Sequence, residues 1–222
     1  MKIVNARYGI DIELPEERIA VRIIENKLAM REIVHSIWEQ CDGSEGEFVL
    51  SEDKVLKIGK VCHSILNPFC IDFNNKKIIS TLYGEMSNAA EEYIQEKAEL
   101  NSGVINILDK VSLALGYSGL EYNYDFAWND LFKVYGVKLS IEYDSLLEKL
   151  VEYIKLMSKL CGIQVVFLVN IKLFLSNEEL LELYSAACYN KVRLVLIEGN
   201  EQEKLEKERL YIIDKDNCFI VK

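Results

Sequence analysis

The sequence predicts a mixed α/β protein, and three observations carry that reading. Two runs, Ile163–Val169 and Val192–Ile197, are apolar but for Gln164 and Arg193, as strands buried on both faces are. Helix-period stripes lie between and before them. Strand and helix alternate through the last third, the pattern of parallel strands joined by crossover helices.

In chain order, Val4–Tyr8, Ile10–Leu14 and Ile19–Ile24 are rich in β-branched residues, with Gly9 and Pro15-Glu16-Glu17 as turn signals. Leu28–Cys41 reads as a helix, because Ile33, Val34, Ile37, Trp38 and Cys41 share one face. Gly43-Ser44-Glu45-Gly46 ends it, and Glu47–Leu50 follows as a short strand. From Asn74 to Leu115 the period is helical. A first helix, capped by Asn74 or Asn75, is followed by a second over about Ser102–Leu115, forming a helical hairpin. Val137–Ile141 reads as a strand. Asp144 would cap a helix running to Leu160, striped by Leu146, Leu147, Leu150, Val151, Ile154 and Met157. Ser176-Asn177-Glu178-Glu179 is a capping box opening a helix to Cys188. Glu201–Arg209 reads as a solvated charged run, and Leu210–Ile213 with Cys218–Val221 as a closing hairpin.

The chain has 222 residues, half of them apolar, enough to bury a core without disulfides. Its six cysteines form no C-x-x-C pair, so reduced thiols in a cytoplasmic protein are expected. Nothing resembles a signal peptide, and no apolar run reaches the roughly 20 residues of a membrane span. The formal charge of −10 argues against nucleic acid on average, yet assembly can gather lysines into a local basic lining.

The motifs of several chemistries are missing. A phosphate loop needs G-x-x-x-x-G-K-[ST], because glycines let backbone amides wrap phosphate oxygens. Around Gly59-Lys60, the first glycine is replaced by Lys54 and the hydroxyl residue by Val61. The apolar strand at 165–169 ends in Asn170, where a magnesium-holding acid would stand in a working NTPase. No G-x-G occurs. The two histidines, His35 and His63, read as structural, since Cys62 and His63 would face opposite ways on a strand. Asp214-Lys215-Asp216 is the one cluster a metal-dependent nuclease could use, but turn chemistry alone explains it. No enzyme is expected.

Two positive signals remain. Lys54, Lys57 and Lys60 recur every third residue, which places three ammonium groups on one side of a turn as a phosphate-contacting row. Lys76 and Lys77 form a second patch. Glu121, Asn123 and Asp125 alternate along an expected strand and project hard oxygen ligands from one face, which suits calcium.

Several stretches, in order and spacing, resemble the accessory spacer-acquisition proteins of type II-A CRISPR systems. They are Ile71-Asp72-Phe73-Asn74-Asn75, Leu120-Glu121-Tyr122 with following acids, and Gly136-Val137-Lys138 with Asp144 and Glu148-Lys149. Phe167-Leu168-Val169-Asn170 with Leu175-Ser176 and Glu179-Leu180 continues the series, and Leu196-Ile197-Glu198 with Tyr211-Ile212-Ile213-Asp214, Asp216 and Phe219 ends it. The resemblance implies an α/β head related to a degenerate P-loop NTPase core, here 1–70 and 136–222, with a helical leg inserted at 71–135. It implies a homotetrameric ring with a basic lining and bound calcium, binding double-stranded DNA ends without catalysis during acquisition of spacers. Implied partners are the CRISPR integrase complex and the RNA-guided effector nuclease, with no membrane. Asn123 stands where that family has an acid. The rival classes are a metal-dependent nuclease and a scaffold in the adaptation complex without DNA contact.

Overall fold

A computed structural model describes residues 1–116, 119–216 and 218–221. The chain divides into two compact units, Met1–Phe73 with Ile141–Lys222, and Asn74–Ser140, against boundaries of 71 and 135 expected from sequence.

The first unit is mixed α/β with two sheets. Its chain runs β1 (Lys2–Asn5), β2 (Ile10–Glu13), β3 (Ile19–Ile24), α1 (Lys27–Cys41), β4 (Val49–Ser51), β5 (Val55–Leu56), α2 (Ile58–Val61) and β6 (Cys62–Ile65). It resumes with α6 (Leu146–Cys161), β7 (Val165–Val169), α7 (Asn177–Tyr189), β8 (Arg193–Glu198), β9 (Glu208–Ile213) and β10 (Phe219–Val221). The six-stranded sheet has the order β10-β9-β3-β8-β7-β6, parallel throughout except for β10. A four-stranded antiparallel sheet, β2-β1-β4-β5, packs with α1 against one of its faces.

Alternation along the parallel strands decides which layer each side chain joins. Val165, Phe167, Val195 and Ile197 share a core with Ile33 and Ile37 of α1 and with Ile3, Ile12 and Leu50 of the small sheet. Their neighbours Val166, Leu168, Leu194 and Leu196 are equally buried on the other side. Both faces are therefore covered, which is why β7 and the middle of β8, Leu194–Ile197, are apolar without a break. Arg22 of β3 is the exception on the first face. It is 5% exposed, and desolvation lowers its pKa to about 10, so it stays charged at neutral pH.

The second unit holds α3 (Lys76–Ala90), α4 (Ile94–Leu115) and α5 (Trp128–Val134). Asn75, not Asn74, caps α3 by accepting from the N–H groups of Lys77 and Ile78. The break between the two long helices falls at Glu91–Tyr93, earlier than the expected start of the second helix at Ser102. No residue of α4 is buried, and Ile94, Ile107, Val111 and Leu113 are at least half exposed.

Three sequence expectations need correction. Val137–Ile141 joins no sheet. Instead the Asn74 amide accepts from the N–H of Leu139 at 2.8 Å and donates to its carbonyl at 3.0 Å, which does the work of a strand partner. The cap of α6 is Ser145, whose hydroxyl accepts from the N–H of Glu148, while the Glu148 carboxylate accepts from the N–H of Asp144. The charged run Glu201–Arg209 is not all solvated, because β9 begins at Glu208, which is 4% exposed.

Candidate nucleic-acid interface

The lysine row starts in a turn and ends in a helix. Lys54 lies between β4 and β5, Lys57 precedes the first residue of α2, and Lys60 lies within it. All three are exposed, and none has a carboxylate within ion-pair distance among the described residues.

Residues outside the row fix its position. Gln40, near the end of α1, is 6% exposed. Its side-chain amide accepts from the N–H of Phe48 at 2.9 Å and donates to the Phe48 carbonyl at 3.1 Å. That pair pins the 42–48 loop, and α2 leans on the loop through Gly59. A Cβ at Gly59 would stand 2.9 Å from the Cα of Gly43, closer than real contacts allow, and a tight 3.1 Å from the Gln40 carbonyl oxygen. Glycine at 59 is thus required by backbone approach, not by a phosphate loop. Between loop and helix runs a groove of about 610 Å³, edged by Ser44, Gly46, Val55, Lys57 and Lys60. The Lys54 turn is held from the other side. Arg193, at the start of β8, donates to Glu52 at 3.1 Å, to Glu16 at 3.0 Å and to the Leu14 carbonyl at 3.0 Å. The Glu52 N–H in turn donates to the Lys54 carbonyl.

Lys76 and Lys77 occupy the first turn of α3 in the second unit, with Lys76 exposed and Lys77 half-buried. Cations at a helix N-terminus add to the positive end of its dipole instead of offsetting it, so the local potential there favours an anion.

The acidic segment is not the strand that sequence alternation suggests. Residues 119–127 form no ladder, and the segment is tied down by side chains reaching from and to α4. Asn101 donates to the Tyr124 carbonyl, and the Tyr122 hydroxyl donates to Asp109. Lys97 lies 3.0 Å and 3.2 Å from the two carboxylate oxygens of Asp125. That ammonium, with the Phe126 N–H, holds the Asp125 carboxyl below the usual carboxylate range. Glu121 and Asn123 are exposed, and among the described residues no group of three or more His, Cys, Asp or Glu side chains converges. As folded, these residues do not fit a calcium ion, which takes about six to eight oxygen ligands.

The other sequence candidates have local roles. Asp214 accepts from the N–H groups of Asp216 and Cys218 and so closes the β9–β10 turn. His63 shares a hydrogen bond of 3.1 Å with the Tyr153 hydroxyl, while Cys62 is fully buried.

Sequence reasoning missed a buried, hydrogen-bonded polar cluster. Glu208 accepts from the Lys172 ammonium, from the Tyr184 hydroxyl at 2.6 Å and from the Leu205 N–H at 3.0 Å. The Lys172–Glu208 ion pair is 2.7 Å, with side chains 4% and 0% exposed. Beside it, Glu198 is 1% exposed and accepts from the Lys172 N–H at 3.2 Å. Burial raises the Glu198 pKa to about 7, offset in part by that N–H and by the Lys172 charge. A signal did exist: Glu198 ends a strand that is apolar from Leu194 to Ile197, and Lys172 lies three residues past the end of the other.

The raised Glu198 value has a measurable sign. Below the ordinary carboxylate pKa of 4.5, the folded and unfolded states are both protonated and nothing is lost. As pH rises through that value to about 7, the unfolded chain releases the proton first, so stability falls. A shift of that size corresponds to about 3 kcal/mol. Glu198→Gln should therefore gain on the wild type by up to that amount between pH 5 and pH 8. Parallel denaturant-unfolding curves across that range would show it, and a constant gap would refute it.

Residues 40–217 match the protein family described as CRISPR-associated protein (Cas_Csn2). The chain belongs to that family. Among its curated relatives, the CRISPR-associated protein Csn2 of Enterococcus faecalis is 23% identical over 150 residues, covering 65% of each chain. The Csn2 of Streptococcus agalactiae is 25% identical over 154 residues, covering 67% of this chain and 66% of that one. The matched region thus spans just under two thirds of the length of either Csn2 relative. Among solved structures, a putative ABC transporter ATP-binding protein from Pyrococcus furiosus superposes over 91% of this chain and 88% of its own. That likeness has 9% identity and a TM-score of 0.40, too low to carry an argument. No helix among the described residues is long and apolar enough to cross a membrane.

Proposed function

We propose that this chain binds the ends of double-stranded DNA without catalysis, as a ring of four copies, in support of CRISPR spacer acquisition. The observation that carries the reading is the row of Lys54, Lys57 and Lys60, exposed and without carboxylate partners among the described residues, on a frame fixed by Gln40, Gly59 and Arg193. Three flexible ammonium groups suit phosphates, which are the same at every base pair, so binding is independent of sequence and sensitive to salt. A net charge of −10 does not oppose this, because a ring concentrates one patch from each copy around its hole while acids elsewhere face solvent. The uncovered apolar side chains of α4 favour assembly, since a monomer rarely exposes such a stripe without a partner for it. Within adaptation, the partners would be the integrase complex and the RNA-guided effector nuclease, met through the bound DNA.

Threading gives a sharp test. A closed ring admits a linear duplex through its end and excludes a covalently closed circle. In competition binding, linear fragments should displace a labelled duplex while closed circles of the same sequence should not. Linearising the circle with one cut should restore competition. Equal competition by both forms would defeat threading.

A further inference from the structure

We infer that Lys97 is the counter-ion of the acidic segment, so that this chain holds the segment on α4 without a divalent cation. Four observations lead there. The Lys97 ammonium reaches both oxygens of Asp125, at 3.0 Å and 3.2 Å. The same ammonium lies 5.4 Å from the centre of the Phe126 ring, and its side chain is 25% exposed against 69% for Asp125. A cation over an aromatic face beside a carboxylate is held from two directions. Asn123 supplies a neutral amide in the middle of the segment, so one negative charge fewer needs neutralising. The remaining ties, from Asn101 to the Tyr124 carbonyl and from the Tyr122 hydroxyl to Asp109, join segment to helix without any ion.

A calcium ion would have to displace Lys97 from Asp125 before binding there. It would then find no convergent group of three acids among the described residues to complete its shell. The bond already made is short, local and built into the chain, and it leaves the segment ordered at any calcium level.

Hydrogen exchange of residues 119–127 in the full-length protein tests this directly, with EDTA and with millimolar calcium. The wild type should show the same protection in both. Lys97→Met keeps the stem against Phe126 and removes the charge. It should exchange several-fold faster in EDTA and in calcium alike, because one carboxylate without convergent neighbours does not hold the ion. Lys97→Arg should behave as wild type. Terbium, a calcium surrogate excited through nearby tyrosines such as Tyr122 and Tyr124, gives a second readout. Neither the wild type nor Lys97→Met should show an emission that depends on Asp125. Wild-type protection that appears only with calcium would overturn the inference. So would a Lys97→Met variant fully protected in EDTA, or a wild-type terbium signal abolished by Asp125→Asn.

Discussion

Replacing Glu208 by leucine should destabilise the protein by about 3–5 kcal/mol in equilibrium urea unfolding. Removing this carboxylate leaves the Lys172 ammonium, 4% exposed, without its ion-pair partner. It also strands the Tyr184 hydroxyl, which donates to Glu208 at 2.6 Å. Leaving a buried charge unpaired costs far more than the pair itself contributes, because two desolvation penalties are already built into the native state. The double variant Lys172→Met with Glu208→Leu should accordingly recover most of the loss. The two single variants and the double form a cycle whose coupling term isolates the pair. A Glu208→Leu protein within about 1 kcal/mol of wild type would mean that the pair is reached by water.

The second large effect concerns DNA. Lys57→Glu should abolish measurable binding of a linear duplex at physiological ionic strength and leave thermal stability unchanged. The side chain is exposed and makes no ion pair among the described residues, so its reversal disturbs no ion pair of the fold. Assembly multiplies the effect, since four copies would carry the altered charge around one hole. Replacing Lys54, Lys57 and Lys60 together by alanine gives a finer measure. Every phosphate that is no longer neutralised should flatten the plot of log K against log salt by about 0.9. Fluorescence anisotropy over a salt series reads both numbers. An unchanged slope with unchanged affinity would remove the row from the DNA interface.

How much of this was visible beforehand depends on whether a residue's neighbours lie nearby in sequence. Val165–Val169 and Arg193–Glu198 could be placed because burial on both faces leaves almost nothing but apolar side chains. The Ser176–Glu179 capping box is local and appears in the structure as a reciprocal pair. Val137–Ile141 misled because its β-branched pattern is satisfied by one distant amide, Asn74, instead of a strand. Glu208 was hidden by its own surroundings: a charged run looks solvated, and only Lys172 and Tyr184, brought in by other elements, reveal it as buried. At the candidate interface, the lysine types and spacing were legible. Their support by Gln40 and Arg193 was not, since it needs partners as many as 179 positions apart. The acidic segment's oxygen ligands could be named from sequence, but the Lys97 ammonium that occupies Asp125 lies 28 residues away.

The pairing of β3 has a consequence for how the chain is made. This strand, Ile19–Ile24, is flanked by β8 and β9, which end at Glu198 and Ile213. A growing polypeptide therefore carries this strand with both hydrogen-bonding edges open until β8 and then β9, more than 170 residues later, have left the ribosome. Such long-range closure slows folding and exposes the nascent chain to wrong pairings meanwhile. The Lys54 turn shares that delay, because Arg193 must emerge before Glu52 can be held. Translation arrested before residue 193 should yield a product that proteases degrade readily, however complete its lysine row.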